Sequence, residues 1–255
     1  MSTPKPTIIV IPGSFSPLTP YLPIISGLQA HGYPVHGVEL VTVGRREGVL
    51  PPGMYDDAAK VAALATQLAD EGKDVVLVPH SYGGLVACEA AKGLAKNIRE
   101  REGKAGGIVR IVFVTAVVPR EGQALADLSG EMPDYVTLGE DGYLSITNLA
   151  KSAPITFSSL TPDEALAQAE QLSQHSALSF AQKLTYPAYK DIPVSYLFCE
   201  DDKLVTPAQQ EAIIAGMESG GKTVQRFNVK ADHAINVSQP ETVVDMVRKA
   251  LGDAA

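Results

Sequence analysis

The stretch VLVPHSYGGLVACEAAKG, residues 76–93, has the form of a buried strand that turns sharply into a helix. An apolar run is followed by a histidine, by Ser81 and then by the small residues Gly83 and Gly84, which allow tight backbone packing. This is the context of a nucleophile elbow, in which a serine hydroxyl is held exposed above the end of a sheet. Position 79 is Pro where the G-x-S-x-G pattern has glycine, so a serine that only caps the helix is the alternative.

Short apolar segments alternate with helical segments on both sides of this turn. The sequence predicts strands over 7–11, 34–40, 74–78, 108–116, 194–199 and 223–229. It predicts helices over 20–32, 56–71, 84–101, 207–217 and 240–251. The alternation indicates an α/β protein with a mainly parallel six-stranded sheet and helices on both faces. Ligands bind such sheets at the C-terminal ends of the strands, so we expect the chemistry in the loops there.

Residues 119–190 interrupt the alternation because no strong buried strand is visible in them. The tetrapeptide TPDE at 161–164 is typical of a capped helix N-terminus, and a second short helix is predicted over 176–184. We therefore predict a helical, loop-rich lid inserted after the fourth strand. The remaining residues, 1–118 and 191–255, are predicted to form the core domain.

A nucleophilic serine needs a base and an acid. In proteins with a nucleophile elbow, the acid follows the serine along the chain and the histidine follows the acid. His233 alone lies beyond the last predicted strand, which favours it as the base over a solvated loop histidine. At least one acid of the run 200–202, directly after the strand 194–199, is expected to turn towards His233. His80 is interpreted as structural, with its side chain directed away from the serine hydroxyl.

An oxyanion hole needs two backbone N–H groups. One is expected from Tyr82, directly after the serine. The other is expected from the loop after the first strand, from Ser14 or alternatively Phe15. Gly13 allows the backbone to approach closely there, unless it serves only a tight turn. We also predict substrate contacts for Gly13, Phe15 and Tyr82.

These segments together resemble the α/β-hydrolase superfamily, and within it the branch of plant methyl-ester esterases, hydroxynitrile lyases and their microbial relatives. PGS at 12–14 is similar to the family's H-G-small motif, with Pro in place of His, and HSYGG at 80–84 to its elbow. KADHAINVSQPE at 230–241 resembles the segment that carries the family's histidine. CEDDKLVTP at 199–207 resembles the acid loop, which implies Asp202 as the acid and Asp201 as the fallback.

The resemblance also bears on the reaction. Hydroxynitrile lyases of this branch carry lysine after the histidine and threonine at the glycine of the first loop, where this chain has Ala234 and Gly13. Both differences favour ester hydrolysis over cyanohydrin cleavage. We predict a serine hydrolase that acts on a small to medium, mostly apolar ester or lactone. Ser81 argues against relatives that use an aspartate nucleophile. A lyase, a cyclase or a C–C bond-cleaving enzyme with the same triad is the alternative, followed by a ligand-binding protein on this fold.

Composition excludes several classes of partner. The 255 residues carry a formal charge of −8 and no basic cluster, so neither nucleic acid nor an anionic membrane is expected to bind. No apolar run approaches the roughly 20 residues of a membrane helix, and we predict a cytoplasmic protein. No metal-ligand spacing is visible and the mechanism requires no cofactor. Cys88 and Cys199 are expected to be free buried thiols, and the sequence is silent on oligomeric state.

Overall fold

A six-stranded parallel sheet dominates the computed structural model, which describes residues 4–253. Its strands are β1 (Thr7–Ile11), β2 (Val35–Gly37), β3 (Asp74–Pro79), β4 (Gly107–Val114), β8 (Val194–Cys199) and β9 (Gln225–Val229). They lie in the order β2-β1-β3-β4-β8-β9, and every neighbouring pair is parallel. This confirms the α/β class and the parallel six-stranded sheet predicted from the sequence.

The strands alternate their side chains between two apolar cores. In β1, Ile9 and Ile11 face one core, whereas Ile8 and Val10 face the other. Because both faces are covered, β1 and β8 are buried along their whole length, and apart from Thr7 and Ser195 their residues are apolar. The first core is closed by α2 (Met54–Asp70), α3 (Gly83–Ala90) and α9 (Pro207–Glu218), and the second by α1 (Leu22–Ala30) and α11 (Pro240–Ala250).

The remaining helices are short. They are α4 (Lys96–Arg101), α5 (Ala126–Ser129), α6 (Leu149–Thr156), α7 (Pro162–Ala169), α8 (Leu178–Ala181) and α10 (Ile235–Ser238), with 3₁₀ turns at Thr19–Tyr21 and Ala188–Lys190. Within residues 4–253, each helix is too short or too polar to span a bilayer. Cys88 and Cys199 are free and buried, as predicted.

The single helix predicted over 84–101 is wrong, since the structure has two helices there. Gly93 adopts φ +75° after α3, a conformation that ends helices and that glycine adopts without strain. Leu94 and Ala95 then fill the core before α4 begins. The strand predicted over 34–40 is also shorter in the structure, because only residues 35–37 pair with β1.

Residues 119–190, which we call the inserted segment, contain strands that the sequence did not reveal. An antiparallel sheet joins β5 (Val136–Leu138), β6 (Tyr143–Ile146) and β7 (His175–Ser176). These strands have two to four residues each, too few for a hydrophobic period to be visible. The segment therefore contains the predicted short helices and loops but also a small sheet, so the prediction of a helical segment is incomplete. The capping box of α7 is present, whereas α8 covers only part of the helix predicted over 176–184.

The elbow turn is fixed by close backbone packing. A Cβ atom on Gly83 would lie 2.7 Å from the carbonyl oxygen of Ile11, and one on Gly84 would lie 2.6 Å from that of Val117. The first oxygen belongs to the last residue of β1 and the second to the loop after β4, and as backbone atoms neither can rotate away as a side chain could. The two glycines therefore let α3 begin directly beneath the serine.

We expect Gly83→Ala to lower the free energy of unfolding by about 1–3 kcal/mol, because the added methyl group overpacks this contact. Gly220→Ala is the matched control, since a Cβ atom at Gly220 meets nothing within 4 Å. Urea unfolding followed by circular dichroism measures both variants. Equal midpoints for the two variants would contradict the prediction.

Candidate active site

Three residues predicted from the sequence meet at the C-terminal edge of the sheet. Ser81 follows β3, Asp202 follows β8 and His233 follows β9. The Oγ atom of Ser81 lies 3.0 Å from Nε2 of His233, and Nδ1 of His233 lies 2.8 Å from Oδ2 of Asp202. All three are almost completely buried, whereas Asp201, the alternative acid, is exposed. The structure thus brings the predicted nucleophile, base and acid into one hydrogen-bonded chain.

Asp202 is surrounded by donors. Its Oδ1 accepts hydrogen bonds from the N–H groups of Leu204 and Val205, both at 2.8 Å, and its Oδ2 accepts one from Thr115 Oγ1 at 2.6 Å. Burial acts to raise the pKa of this carboxyl, but the charge interaction with His233 and the hydrogen bonds together lower it below its ordinary value. The ionised carboxylate fixes the proton of His233 on Nδ1, which leaves Nε2 free to accept the serine proton.

Backbone strain is concentrated at this edge. Among residues 4–253, the non-glycine residues with positive φ are Phe15 (62°), Ser81 (51°) and Thr115 (35°). Such conformations cost on the order of 1–3 kcal/mol each and persist only where the surroundings enforce them. Ser81 is the candidate nucleophile, Thr115 contacts the acid and Phe15 lies in the loop after β1. Strain therefore coincides with the site.

The candidate donors of an oxyanion hole differ in their partners. The N–H group of Phe15 donates to Nδ1 of His175 at 3.0 Å, and that of Gly13 donates to the hydroxyl of Tyr21 at 2.9 Å. Within the part of the chain that the structure describes, the N–H groups of Ser14 and Tyr82 have no acceptor. Of the two predicted candidates in the first loop, Ser14 is therefore the one left available.

His80 joins three loops of the site without bonding the serine. The hydroxyl of Tyr21 accepts the Gly13 hydrogen bond and donates to Nδ1 of His80 at 2.7 Å, and Nε2–H of His80 donates to the carbonyl oxygen of His233 at 2.9 Å. A Cβ atom on Gly13 would lie 3.1 Å from Cβ of Ser81, so glycine permits this close approach. Tyr21 was not predicted, because no sequence motif marks it.

A cavity of about 870 Å³ opens onto Ser81 and His233, and we call it the site cavity. Its walls are mainly apolar and come largely from the inserted segment; they include Leu125, Tyr135, Leu144, Phe157, Phe180 and Tyr189. Gly13 and Phe15, two of the residues predicted to contact substrate, also line it. Tyr82 does not, because its side chain is buried in the core beneath.

A buried carboxylate holds the side chain of Tyr82. The Tyr82 hydroxyl donates to Asp57 at 2.9 Å, and Asp57 also accepts bonds from the N–H groups of Val41 and Thr42 and from the hydroxyl of Thr42. Burial raises the pKa of this carboxyl, and the hydrogen bonds oppose the rise. Sequence reasoning missed this cluster.

Among the described residues, no group of three or more His, Cys, Asp or Glu is arranged to hold a metal ion.

Comparison with known proteins gives consistent matches along the chain. A model of the alpha/beta hydrolase family matches residues 8–246. A relative from Phoma sp., described as probable hydrolase R7, is 33% identical over 250 residues, which cover 97% of this chain and 99% of the relative.

The fold is also shared with solved structures, of which two illustrate the match. A pyrethroid hydrolase from Sphingobium faniae superposes with a TM-score of 0.74 at 21% identity, covering 96% of each chain. Polyneuridine aldehyde esterase superposes with a TM-score of 0.71 at 19% identity, covering 97% of this chain and 99% of the other. Both matches extend over the inserted segment as well as the sheet.

We expect stability to fall as the pH drops from 7 to 5, because two buried histidines must stay neutral. Burial lowers the pKa of His80 and of His175 from 6.5 to about 3. Between these values the unfolded chain binds more protons, so this contribution to stability is complete above pH 6.5 and is lost below it. By pH 5 each histidine costs on the order of 2 kcal/mol of unfolding free energy.

Urea unfolding of wild type and His175→Asn at both pH values measures this loss. The variant should lose less stability than wild type between pH 7 and pH 5, since one of the two groups is gone. His31→Asn serves as the control, because His31 is exposed. An unchanged pH dependence in His175→Asn would contradict the prediction.

Proposed function

The chain belongs to the α/β-hydrolase family, and we propose that it is a serine hydrolase that cleaves a carboxylic ester or lactone through an acyl-enzyme. The observation that carries the proposal is the hydrogen-bonded chain from Ser81 through His233 to Asp202, at 3.0 and 2.8 Å. A serine hydroxyl is a weak nucleophile by itself and needs a base oriented in this way. The esterase and pyrethroid hydrolase among the structural neighbours are consistent with an ester substrate.

Acylation follows from this geometry. Ser81 Oγ attacks the ester carbonyl carbon while Nε2 of His233 takes its proton, and Asp202 stabilises the imidazolium that forms. The negative charge that develops on the carbonyl oxygen is stabilised by the N–H groups of Ser14 and Tyr82, which have no other acceptor among the described residues. The tetrahedral intermediate then collapses, and His233 returns the proton to the leaving alcohol.

Deacylation repeats these steps with water. His233 removes a proton from a water molecule, whose oxygen attacks the acyl carbon. The acid is then released and the proton returns to Ser81. Ser81, His233 and Asp202 thus act in both acylation and deacylation, and the net charge of the site is conserved in each step.

The site cavity indicates the size and polarity of the substrate. Its volume of about 870 Å³ lies towards the upper end of the range for pockets that enclose drug-sized ligands. Its walls are mainly apolar, so we propose an ester of medium size whose acyl or alcohol part is hydrophobic. Since much of this wall belongs to residues 119–190, we also propose that the inserted segment acts as the lid over the core formed by 1–118 and 191–255.

We expect Ser81→Ala to lower the kcat for p-nitrophenyl butyrate by at least about 10³-fold, because the nucleophile is lost. Ser26→Ala, on the exposed surface of α1, is the matched control and should hydrolyse the ester as the wild type does. Equal, near-background rates in wild type and Ser81→Ala would contradict a general esterase. Conversion of a substrate without uptake of oxygen from heavy-oxygen water would instead indicate the lyase or cyclase alternative.

We expect Asp202→Asn to lower kcat by about 10³–10⁴-fold, because an amide no longer holds the histidine in the required tautomer. Asp201→Asn changes the neighbouring exposed carboxylate and should leave kcat within about twofold of wild type. Steady-state kinetics with p-nitrophenyl butyrate measures both. A larger loss in Asp201→Asn would move the acid to the fallback position.

A further inference from the structure

His175 is a buried histidine of the inserted segment that contacts both sides of the proposed oxyanion hole. It lies in β7 and is completely buried. It takes no part in the hydrogen bonds that link Ser81, His233 and Asp202. Its Nδ1 atom accepts the hydrogen bond from the N–H group of Phe15, next to Ser14. Its ring also packs edge-on against the ring of Tyr82, with 4.9 Å between the ring centroids.

The hydrogen bonds around His175 fix its tautomer. Its Nε2 atom lies 2.9 Å from Oγ of Ser179, and that hydroxyl donates its own proton to the carbonyl oxygen of Ser176 at 2.8 Å. Ser179 can therefore only accept from His175, so the ring proton is on Nε2. Nδ1 is consequently a bare acceptor, which is the state that the N–H group of Phe15 requires.

The same segment holds the Phe15 residue from its other end. The N–H group of Ser173 donates to the carbonyl oxygen of Phe15 at 2.8 Å. Two further bonds fasten the segment itself, from Ser176 N–H to Thr42 O at 2.9 Å and from Gly44 N–H to Gln174 O at 2.8 Å. Phe15 has φ +62°, a conformation that a residue with a side chain keeps only when its surroundings impose it.

We propose that His175 is a positioning residue that sets the geometry of the oxyanion hole, an inference that rests on the proposed serine hydrolase function. By accepting the Phe15 N–H, it directs that group away from the serine and holds the loop so that the Ser14 N–H faces the developing oxyanion. Its ring steadies Tyr82, whose N–H is the second donor. Strand β7 of the inserted segment thereby positions the two donors, which lie in the loops after β1 and β3.

Two substitutions separate the acceptor of His175 from its volume. In His175→Asn, the amide oxygen can take the place of Nδ1, whereas His175→Leu fills the site without an acceptor. We expect His175→Leu to lower the kcat for p-nitrophenyl butyrate by about 10- to 100-fold, less than the loss of a whole oxyanion donor. KM should stay within about threefold of wild type, and His175→Asn should keep kcat within about fivefold.

A tetrahedral adduct tests the oxyanion hole more directly. Butaneboronic acid adds to the serine Oγ and places a boronate oxygen where the oxyanion forms. Its affinity should fall in His175→Leu by a factor similar to the fall in kcat/KM, and His175→Asn should restore it. The pH profile of kcat/KM should keep its inflection, because the bonds among Ser81, His233 and Asp202 are untouched.

Hydrogen exchange gives a readout that does not depend on activity. Exchange of the Phe15 amide, followed by NMR, should accelerate in His175→Leu and remain close to wild type in His175→Asn. Thermal unfolding verifies that the variants are folded. If His175→Leu does not fold, His175→Gln replaces it, because its amide extends past the position of Nδ1.

The outcomes distinguish this inference from the proposed function. Wild-type kcat in His175→Leu, an effect confined to KM, or equal damage in His175→Asn would overturn the role of His175 while Ser81→Ala still abolishes hydrolysis. If wild type and Ser81→Ala hydrolyse the ester at the same background rate, the proposed function fails, and the role assigned to His175 falls with it.

Discussion

The close packing of the elbow backbone against two neighbouring strands is the constraint on which the rest of the site depends. Gly83 contacts the end of β1 and Gly84 contacts the backbone after β4, so α3 can begin only because neither carries a side chain. This packing holds Ser81 at a strained φ of 51° and leaves the N–H of Tyr82 without an acceptor among the described residues. Hydrogen bonds from the N–H groups of His80 and Ser81 to the adjacent strand ends offset part of the strain.

The distribution of charge around this turn suits a reaction that transiently protonates one histidine. Asp202 is ionised and accepts hydrogen bonds from several donors. Burial keeps His80 neutral, and the ring of His80 lies 4.9 Å from that of His233. A second imidazolium at that distance would oppose the one that the proposed acylation step forms on His233. Because His80 instead gives an N–H to the carbonyl oxygen of His233, it supports the base without competing for its proton.

The sequence predicts the sheet and the positions of the nucleophile, base and acid for one physical reason. Ser81 and Asp202 follow the mainly apolar strands β3 and β8, whereas His233 follows β9, a partly exposed edge strand. A parallel sheet brings the C-terminal ends of its strands together, so the three residues meet at one edge. The short strands of the inserted segment and the break after α3 escape prediction, because runs of two to four residues carry no period and a single Gly93 decides the break.

The polar networks escape prediction for a different reason. Tyr21 and His80 are 59 residues apart, and Phe15 and His175 are 160 residues apart, so each contact exists only after the chain has folded. The fixed proton of His175 likewise depends on Ser179 and on the carbonyl oxygen of Ser176, neither of which forms a recognisable motif. Local sequence therefore marks the groups that react and is silent about the groups that hold them in place.

The anchoring of the β1 loop by β7 limits how such an enzyme can be modular. The inserted segment supplies much of the apolar wall of the site cavity, and residues 173–176 also bond to Phe15 and to the 42–44 loop. Exchange of this segment between relatives would therefore transfer substrate preference and turnover together. If relatives diversified by remodelling the inserted segment, we would expect the sequence of β7 to be conserved while the sequences on either side of it vary.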